Sequence, residues 1–212
     1  MIKIKNLTKK FGNTVSLDSV SLEFNINDHI ALMGPNGAGK TTLIRLILGY
    51  YHANSGDVSI NDLSPIENRV DILKKVSFVP QLPPPIKLSI NELLHYICTS
   101  TNINKELIYH YCKEMELDIT QILNKSFFKL SGGMKQKLLI SVSLAKNSEI
   151  MIYDEPTANL DPKARDNFYR LLKQNDKEKI MLFVTHRLEE VKNITNRQIY
   201  FDLGKVISDE KF

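Results

Sequence analysis

Gly34-Pro35-Asn36-Gly37-Ala38-Gly39-Lys40-Thr41 carries glycines, a lysine and a hydroxyl in the spacing G-x-x-x-x-G-K-[ST], whose chemistry is the gripping of phosphate. Glycines let successive main-chain N–H groups curl around an anion, and the N-terminus of a following helix adds positive field. The Lys40 ammonium is placed to reach the β and γ phosphates of a nucleotide, Thr41 offers a hydroxyl to Mg²⁺, and Thr42 beside it is counted with the loop. A glycine turn that only caps a helix would share the glycines. The apolar strand before the loop, His29 to Met33, and the helical run after it, about Lys40 to Leu48 and stopped by Gly49, supply the context the mechanism requires.

Ile150-Met151-Ile152-Tyr153-Asp154-Glu155 is a second candidate: an apolar strand that delivers two adjacent carboxylates at its C-terminal end, where open α/β sheets bind ligands. Asp154 is the expected Mg²⁺ ligand, directly or through water. Side chains alternate along a strand, so Glu155 can point elsewhere and is placed to orient and deprotonate an attacking water. Asp-Glu pairs are common on surfaces, but the apolar run before this one argues against a surface strand. A third segment, Leu130-Ser131-Gly132-Gly133-Met134-Lys135-Gln136, precedes an amphipathic helical pattern; Ser131 can cap that helix while Gly132 and Gly133 leave its first N–H groups bare, a second anion site.

The elements that must position these residues read as α/β. Strands are expected at Ile2 to Asn6 and Leu17 to Ile26, antiparallel in flavour, then at His29 to Met33, Val58 to Ile60, Val76 to Val79, Ile150 to Tyr153, Ile180 to Val184 and Gln198 to Leu203, several with helical patterns between them. Between about Leu82 and Ser148 strand signals vanish, and helices are expected at Ile90 to Ser100, Lys105 to Met115 and Gly132 to Lys146. Pro83, Pro84 and Pro85 open this inserted block as an extended joint.

A chain of 212 residues suits one domain, with a modest insertion at most. Its 28 basic and 24 acidic residues leave a net charge of +4, well short of a dedicated nucleic-acid binder. No apolar run approaches the ~20 residues that cross a bilayer, and the strand-like start lacks the apolar stretch of a secretory signal, so the chain reads as cytoplasmic. Cys98 and Cys112 do not form a disulfide framework. His95 with Cys98 and His110 with Cys112 invite a metal reading, but the step from His110 to Cys112 turns the side chains about half a turn apart on a helix, and buried free thiols are the simpler account.

Taken together, the three motifs resemble the nucleotide-binding subunits of ATP-binding cassette (ABC) transporters, whose signature is LSGGQ followed by a basic residue and Gln. Met134 stands where Gln is usual, a departure that bears on the γ-phosphate contact. The resemblance covers nearly the whole chain. It implies a P-loop NTPase (RecA-like) fold: a mostly parallel sheet core with an N-terminal antiparallel β part and an inserted α-helical subdomain. Residues 1–212 then form a single ABC ATPase domain, with 1–81 and 149–212 as catalytic core and 82–148 as the helical subdomain bearing the signature.

By the same resemblance Gln81 matches the glutamine that senses Mg²⁺ and the attacking water, Asp161 of Ala158-Asn159-Leu160-Asp161 lies in the loop that crosses the dimer interface, and His186 matches the histidine that contacts the γ phosphate and steadies Glu155. Phe11 matches the aromatic that stacks on adenine. ATP and Mg²⁺ are the implied ligands, and each lysine-bearing loop is paired with the Ser-Gly-Gly cap of a second cassette, in a homodimer or heterodimer around two ATP. The implied partners are integral membrane permease subunits, met through Leu82 to Leu88 and the start of the next helix, with the chain peripheral on the inner face of the cell membrane and no direct nucleic acid expected. Met134 and the short stretch after Asp209 point toward an exporter-like or copper-processing system. A soluble ABC ATPase acting on ribosomes or DNA is the alternative, but neither a second cassette nor a long coiled coil is visible. A GTPase would need Asn-Lys-x-Asp where Asn124-Lys125-Ser126-Phe127 stands.

Overall fold

Two kinds of apolar pattern build two kinds of sheet in this chain. The computed structural model describes residues 1–212. Along it run β1 (Ile2–Phe11), β2 (Thr14–Phe24), β3 (His29–Met33), α1 (Lys40–Ile47), β4 (Ser55–Ile60), α2 (Arg69–Lys75), β5 (Val76–Val79), α3 (Ile90–Thr101), α4 (Lys105–Glu114), α5 (Gly132–Lys146), β6 (Ile150–Asp154), α6 (Pro162–Lys173), β7 (Ile180–Val184), α7 (Leu188–Val191), β8 (Arg197–Asp202) and β9 (Lys205–Lys211). They divide between two units, one made of Met1–Val76, Glu149–Asp154 and Lys177–Phe212, the other of Ser77–Ser148 and Glu155–Asp176.

In the first unit, alternating residues make an antiparallel sheet of order β2-β1-β4. Ile2 faces Phe24, Ile4 faces Leu22 and Leu7 faces Val20, so one side of the pair is buried while the lysines between face water. The second sheet runs, within this unit, β6-β7-β3-β8-β9. Its β6, β7, β3 and β8 are parallel neighbours, and β9 closes the edge antiparallel to β8. Every residue of β6 and of β7 is buried, as expected of parallel strands covered on both faces. Tyr153 and Phe183 stack at 5.4 Å across the two strands. Helix α1 buries Leu43, Ile44, Leu46 and Ile47 and packs against β2 and β4.

In the second unit, Ser89 and Glu92 form a capping box that starts α3, Asn104 caps α4, and Asp118 caps a short 3-10 turn at Ile119–Ile122. Helix α5 packs against α4 and α6. It therefore buries a wide face that includes Gln136, Ser141 and Ser143, rather than the narrow stripe of an amphipathic surface helix. Cys112 of α4 lies fully buried beside the Ser141 hydroxyl, and burial pushes its thiol up to about 11.

Several boundaries differ from the sequence reading. Strand β1 continues through Lys9 and Lys10 to Phe11, since one face of the sheet is solvated and lysines cost nothing there. Strand β2 ends at Phe24 because Asn27 takes a left-handed backbone and the Asp28 N–H donates to the Asn25 carbonyl, which leaves Ile26 exposed. Strand β9 has no counterpart among the expected elements, and helices α2, α6 and α7 answer only to the unplaced helical patterns expected between strands.

Arg197, at the start of β8, ties the second sheet to the first. Its guanidinium donates to both oxygens of Asp209 at 2.7 and 2.6 Å, to Asp28 at 3.0 Å and to the Glu23 carbonyl at 2.7 Å, while the Lys211 ammonium donates to Asp28 at 3.1 Å. Burial alone would raise the Asp28 carboxyl, but the Asn25 N–H, Lys211 and Arg197 outweigh it and hold it below its ordinary value. A carboxylate lowered in this way contributes stability that is whole above its unfolded-state pKa of about 3.9 and is lost as pH falls through the folded value. Arg197→Met is expected to cost about 3 kcal/mol at neutral pH, read from urea midpoints, because it leaves Asp28 under-paired. Asp28→Asn should flatten the loss of stability below about pH 4; an acid limb as steep as the parent's would remove Asp28 from this role.

Candidate functional site

The turn from β3 into α1 is held in shape by backbone that only glycine accepts. Gly34, Gly37 and Gly39 have φ of 132°, 83° and 103°. The Ala38 N–H donates to the Pro35 carbonyl at 3.2 Å, and α1 starts at Gly39 with no side-chain cap, so the helix offers its first amides to the loop itself. The Lys40 ammonium donates to the carbonyls of Gly34 at 2.7 Å and Pro35 at 2.9 Å, across the mouth of the turn. Main-chain N–H groups, a helix N-terminus and one ammonium thus meet around a space suited to polyphosphate.

Three neighbouring parallel strands end at the same level. Leu32 of β3 and Asp154 of β6 both align with Val184 of β7, so the phosphate loop, the Asp154 carboxylate and the Thr185-His186 segment leave the sheet from one edge. Asp154 is only 5 % exposed, and its Oδ2 lies 3.4 Å from Thr41 Oγ1. A hydroxyl beside a carboxylate is a pair of hard oxygen donors, and it fits Mg²⁺. The Thr185 N–H donates to the Leu32 carbonyl at 3.3 Å, and His186 follows it exposed.

Two contacts here were not read from the sequence. Ser16 Oγ donates to Thr42 Oγ1 at 2.8 Å, so the Thr42 hydroxyl is engaged with β2. Phe11, 45 % exposed, meets the edge of Tyr51 at 5.3 Å with the Lys9 ammonium 5.0 Å over its ring. Tyr51 is distant in sequence and carries no motif, so nothing short of the fold could pair it with Phe11.

The remaining expected site residues belong to the second unit. Gln81 is exposed just after β5. Glu155 leaves β6 with a left-handed backbone, φ 47°, and its carbonyl accepts from the Ala158 N–H. Ser131 caps α5, its Oγ accepting from the Met134 N–H at 3.2 Å. A Cβ on Gly133 would come within 3.0 Å of the Asn159 carbonyl oxygen, so Gly133 seats the Asn159 segment against α5, while one on Gly132 would meet the Asn159 side chain at an ordinary 3.7 Å. Asp161 caps α6 by accepting from the Ala164 N–H at 2.9 Å and pairs with Lys137 of α5 at 3.0 Å. That N–H first, and Lys137 with it, holds its carboxyl below the usual range. Asp161 is thus engaged within its own chain, a contact that sequence spacing did not reveal.

A profile of the ABC transporter family matches residues 17–158. The chain is 34 % identical over 177 residues to the zinc import ATP-binding protein ZnuC of Rickettsia conorii, a match covering 81 % of this chain and 69 % of that one. It is 34 % identical over 224 residues to the energy-coupling factor transporter ATP-binding protein EcfA2 of Clostridium tetani, covering 98 % of this chain and 78 % of the other. Among solved structures, the dimeric post-hydrolysis state of the ATP-binding cassette MJ0796 bound to ADP and Pi superposes with a TM-score of 0.86 at 27 % identity, covering 100 % of this chain and 98 % of that one. Ser131→Ala is expected to lower stability by about 1 kcal/mol through the lost cap, or about 2–4 °C in Tm for a chain of this size; an unchanged Tm would mean that the Ser131 hydroxyl does not carry the start of α5.

Proposed function

Because the chain belongs to the ABC transporter family, we propose that it is the ATP-binding and ATP-hydrolysing subunit of a transporter, closing with a second cassette around ATP and working through separate membrane-spanning chains. The observation that carries this is the meeting of the Thr41 hydroxyl and the buried Asp154 carboxylate under a glycine loop stapled by Lys40.

In this reading the loop from Gly34 to Thr42 wraps the phosphates and Lys40 exchanges its loop carbonyls for the β and γ phosphate oxygens, a charge-assisted contact stronger than the neutral ones it leaves. Thr41 and Asp154 hold Mg²⁺, and Gln81 takes the part of the family's glutamine that senses the ion and the attacking water. Bound there, the ion would screen the phosphate charge and draw electron density from the γ phosphorus. Glu155 takes a proton from the water that attacks that phosphorus, ADP leaves, and His186 steadies the γ phosphate. Phe11 offers a ring face to the base, and Ser131, Gly132, Gly133 and Asp161 serve the nucleotide of the partner cassette. The solved relative bound to ADP and Pi is dimeric, which supports both hydrolysis and pairing.

No helix is long and apolar enough to cross a membrane. The permease contact is placed at the segment after Gln81, where Leu82 is 79 % exposed and Leu88 41 % exposed on either side of Pro83, Pro84 and Pro85. In this reading the chain is a peripheral subunit on the cytoplasmic face of the membrane, where ATP is supplied.

Two variants separate binding from turnover. Lys40→Ala should weaken Mg²⁺-ATP binding by more than tenfold in calorimetry, and retained micromolar affinity would contradict the loop assignment. Glu155→Gln should lower turnover by about 10² to 10⁴ while ATP binding persists and a dimer accumulates in gel filtration. Turnover at the parental rate would take the general-base role from Glu155.

A further inference from the structure

The outer side of the phosphate loop is pressed against main chain that no motif contains. Leu203 and Gly204 join β8 to β9 in a two-residue turn with φ of 45° and 78°, closed by the pairing of Asp202 with Lys205. Leu203 is 82 % exposed in a backbone conformation that a bulky residue rarely adopts, so the turn is kept for something other than its own packing.

Gly204 is bonded on both sides. Its N–H donates to the Ala38 carbonyl at 3.2 Å, and its carbonyl accepts from the Asp18 N–H at 2.9 Å. A Cβ on Gly204 would lie 2.9 Å from the Ser16 carbonyl oxygen. Across the same contact, a Cβ on Gly39 would lie 2.5 Å from that oxygen and 3.6 Å from Gly204 Cα, and one on Gly34 would lie 2.0 Å from the Phe201 carbonyl oxygen. Three segments, the loop, β2 and the β8–β9 turn, therefore meet backbone to backbone.

A trans peptide points its C=O and its following N–H in opposite directions. Drawing the Ala38 carbonyl outward onto Gly204 turns the Gly39 N–H inward, toward the space the loop encloses. We propose that Gly204 is a positioning residue for nucleotide binding: its N–H pins the Ala38 peptide from outside, so that the Gly39 N–H is aimed at phosphate before the nucleotide arrives. The inference rests on the reading of Gly34 to Thr42 as the nucleotide site. Preorganised donors bind more tightly because no loop ordering is charged against the contact.

The test compares two glycine substitutions of similar strain. Gly204→Ala places a methyl against Ser16, and Gly56→Ala places one 2.3 Å from the Asn6 carbonyl oxygen in the antiparallel sheet. Both should lower Tm. With each protein held well below its own Tm, Gly204→Ala should weaken Mg²⁺-ATP binding at least tenfold in calorimetry while Gly56→Ala binds within about twofold of the parent, a split that a general loss of stability does not produce. Should Gly204→Ala fail to fold, hydrogen exchange on the parent decides: saturating Mg²⁺-ATP should slow the Gly204 amide at least tenfold, together with Gly39. Parental affinity in folded Gly204→Ala, or a Gly204 amide whose exchange nucleotide does not alter, would overturn the strut and leave the nucleotide site standing. Absence of Mg²⁺-ATP binding by the parent would remove both.

Discussion

Gly34 and Gly39 sit where foreign backbone oxygens come so close to their Cα atoms that no side chain has room, 2.0 Å from a Cβ at the first and 2.5 Å at the second. That crowding is the constraint from which the shape of the phosphate loop follows. A turn that must direct N–H groups inward exposes its carbonyls outward, and buried carbonyls need partners. The β8–β9 turn supplies one to Ala38 through the Gly204 N–H, and Asp18 of β2 holds Gly204 in turn, while Lys40 gathers the carbonyls of Gly34 and Pro35 at the mouth.

The parallel sheet serves the same constraint from below. Strand β3 can end abruptly in a loop of awkward backbone because β7 and β8 hydrogen-bond along both its edges. Its neighbour β7 leads into Thr185, and β6 beyond β7 delivers Asp154 at a matching height, so a carboxylate that is costly to bury lies beside the Thr41 hydroxyl rather than in apolar packing. The Arg197 cluster performs a comparable task at the opposite ends of β3 and β8, where it satisfies Asp28 and Asp209 together and fixes the edge from which the β8–β9 turn projects.

In the second unit the residues proposed to serve the nucleotide are held by capping chemistry. Ser131 and Asp161 each close the start of a helix, and the Lys137 pair with Asp161 joins the two helices directly. Gly133 is small because the Asn159 carbonyl lies on it. The start of α5 and the Asn159–Asp161 segment are thus packed directly on each other.

Local pattern alone determined a good deal. The glycine spacing from Gly34 to Lys40, the apolar runs Val76–Val79 and Ile180–Val184 and the helix Gly132–Lys146 stand where their residues place them, because each is specified by neighbours within one element. Strand β9 was not legible: Lys205–Lys211 is mostly polar, and only its pairing with β8 makes it a strand. Helix α2 buries little besides Ile72, so its pattern is equally faint. The Ser16–Thr42 bond, the seating of Phe11 on Tyr51, the capture of Asp161 by Lys137 and the bond from Gly204 to Ala38 join residues far apart in the chain. Composition and periodicity carry no record of such pairs, since only the closing of the tertiary structure brings one main-chain donor within reach of one particular carbonyl.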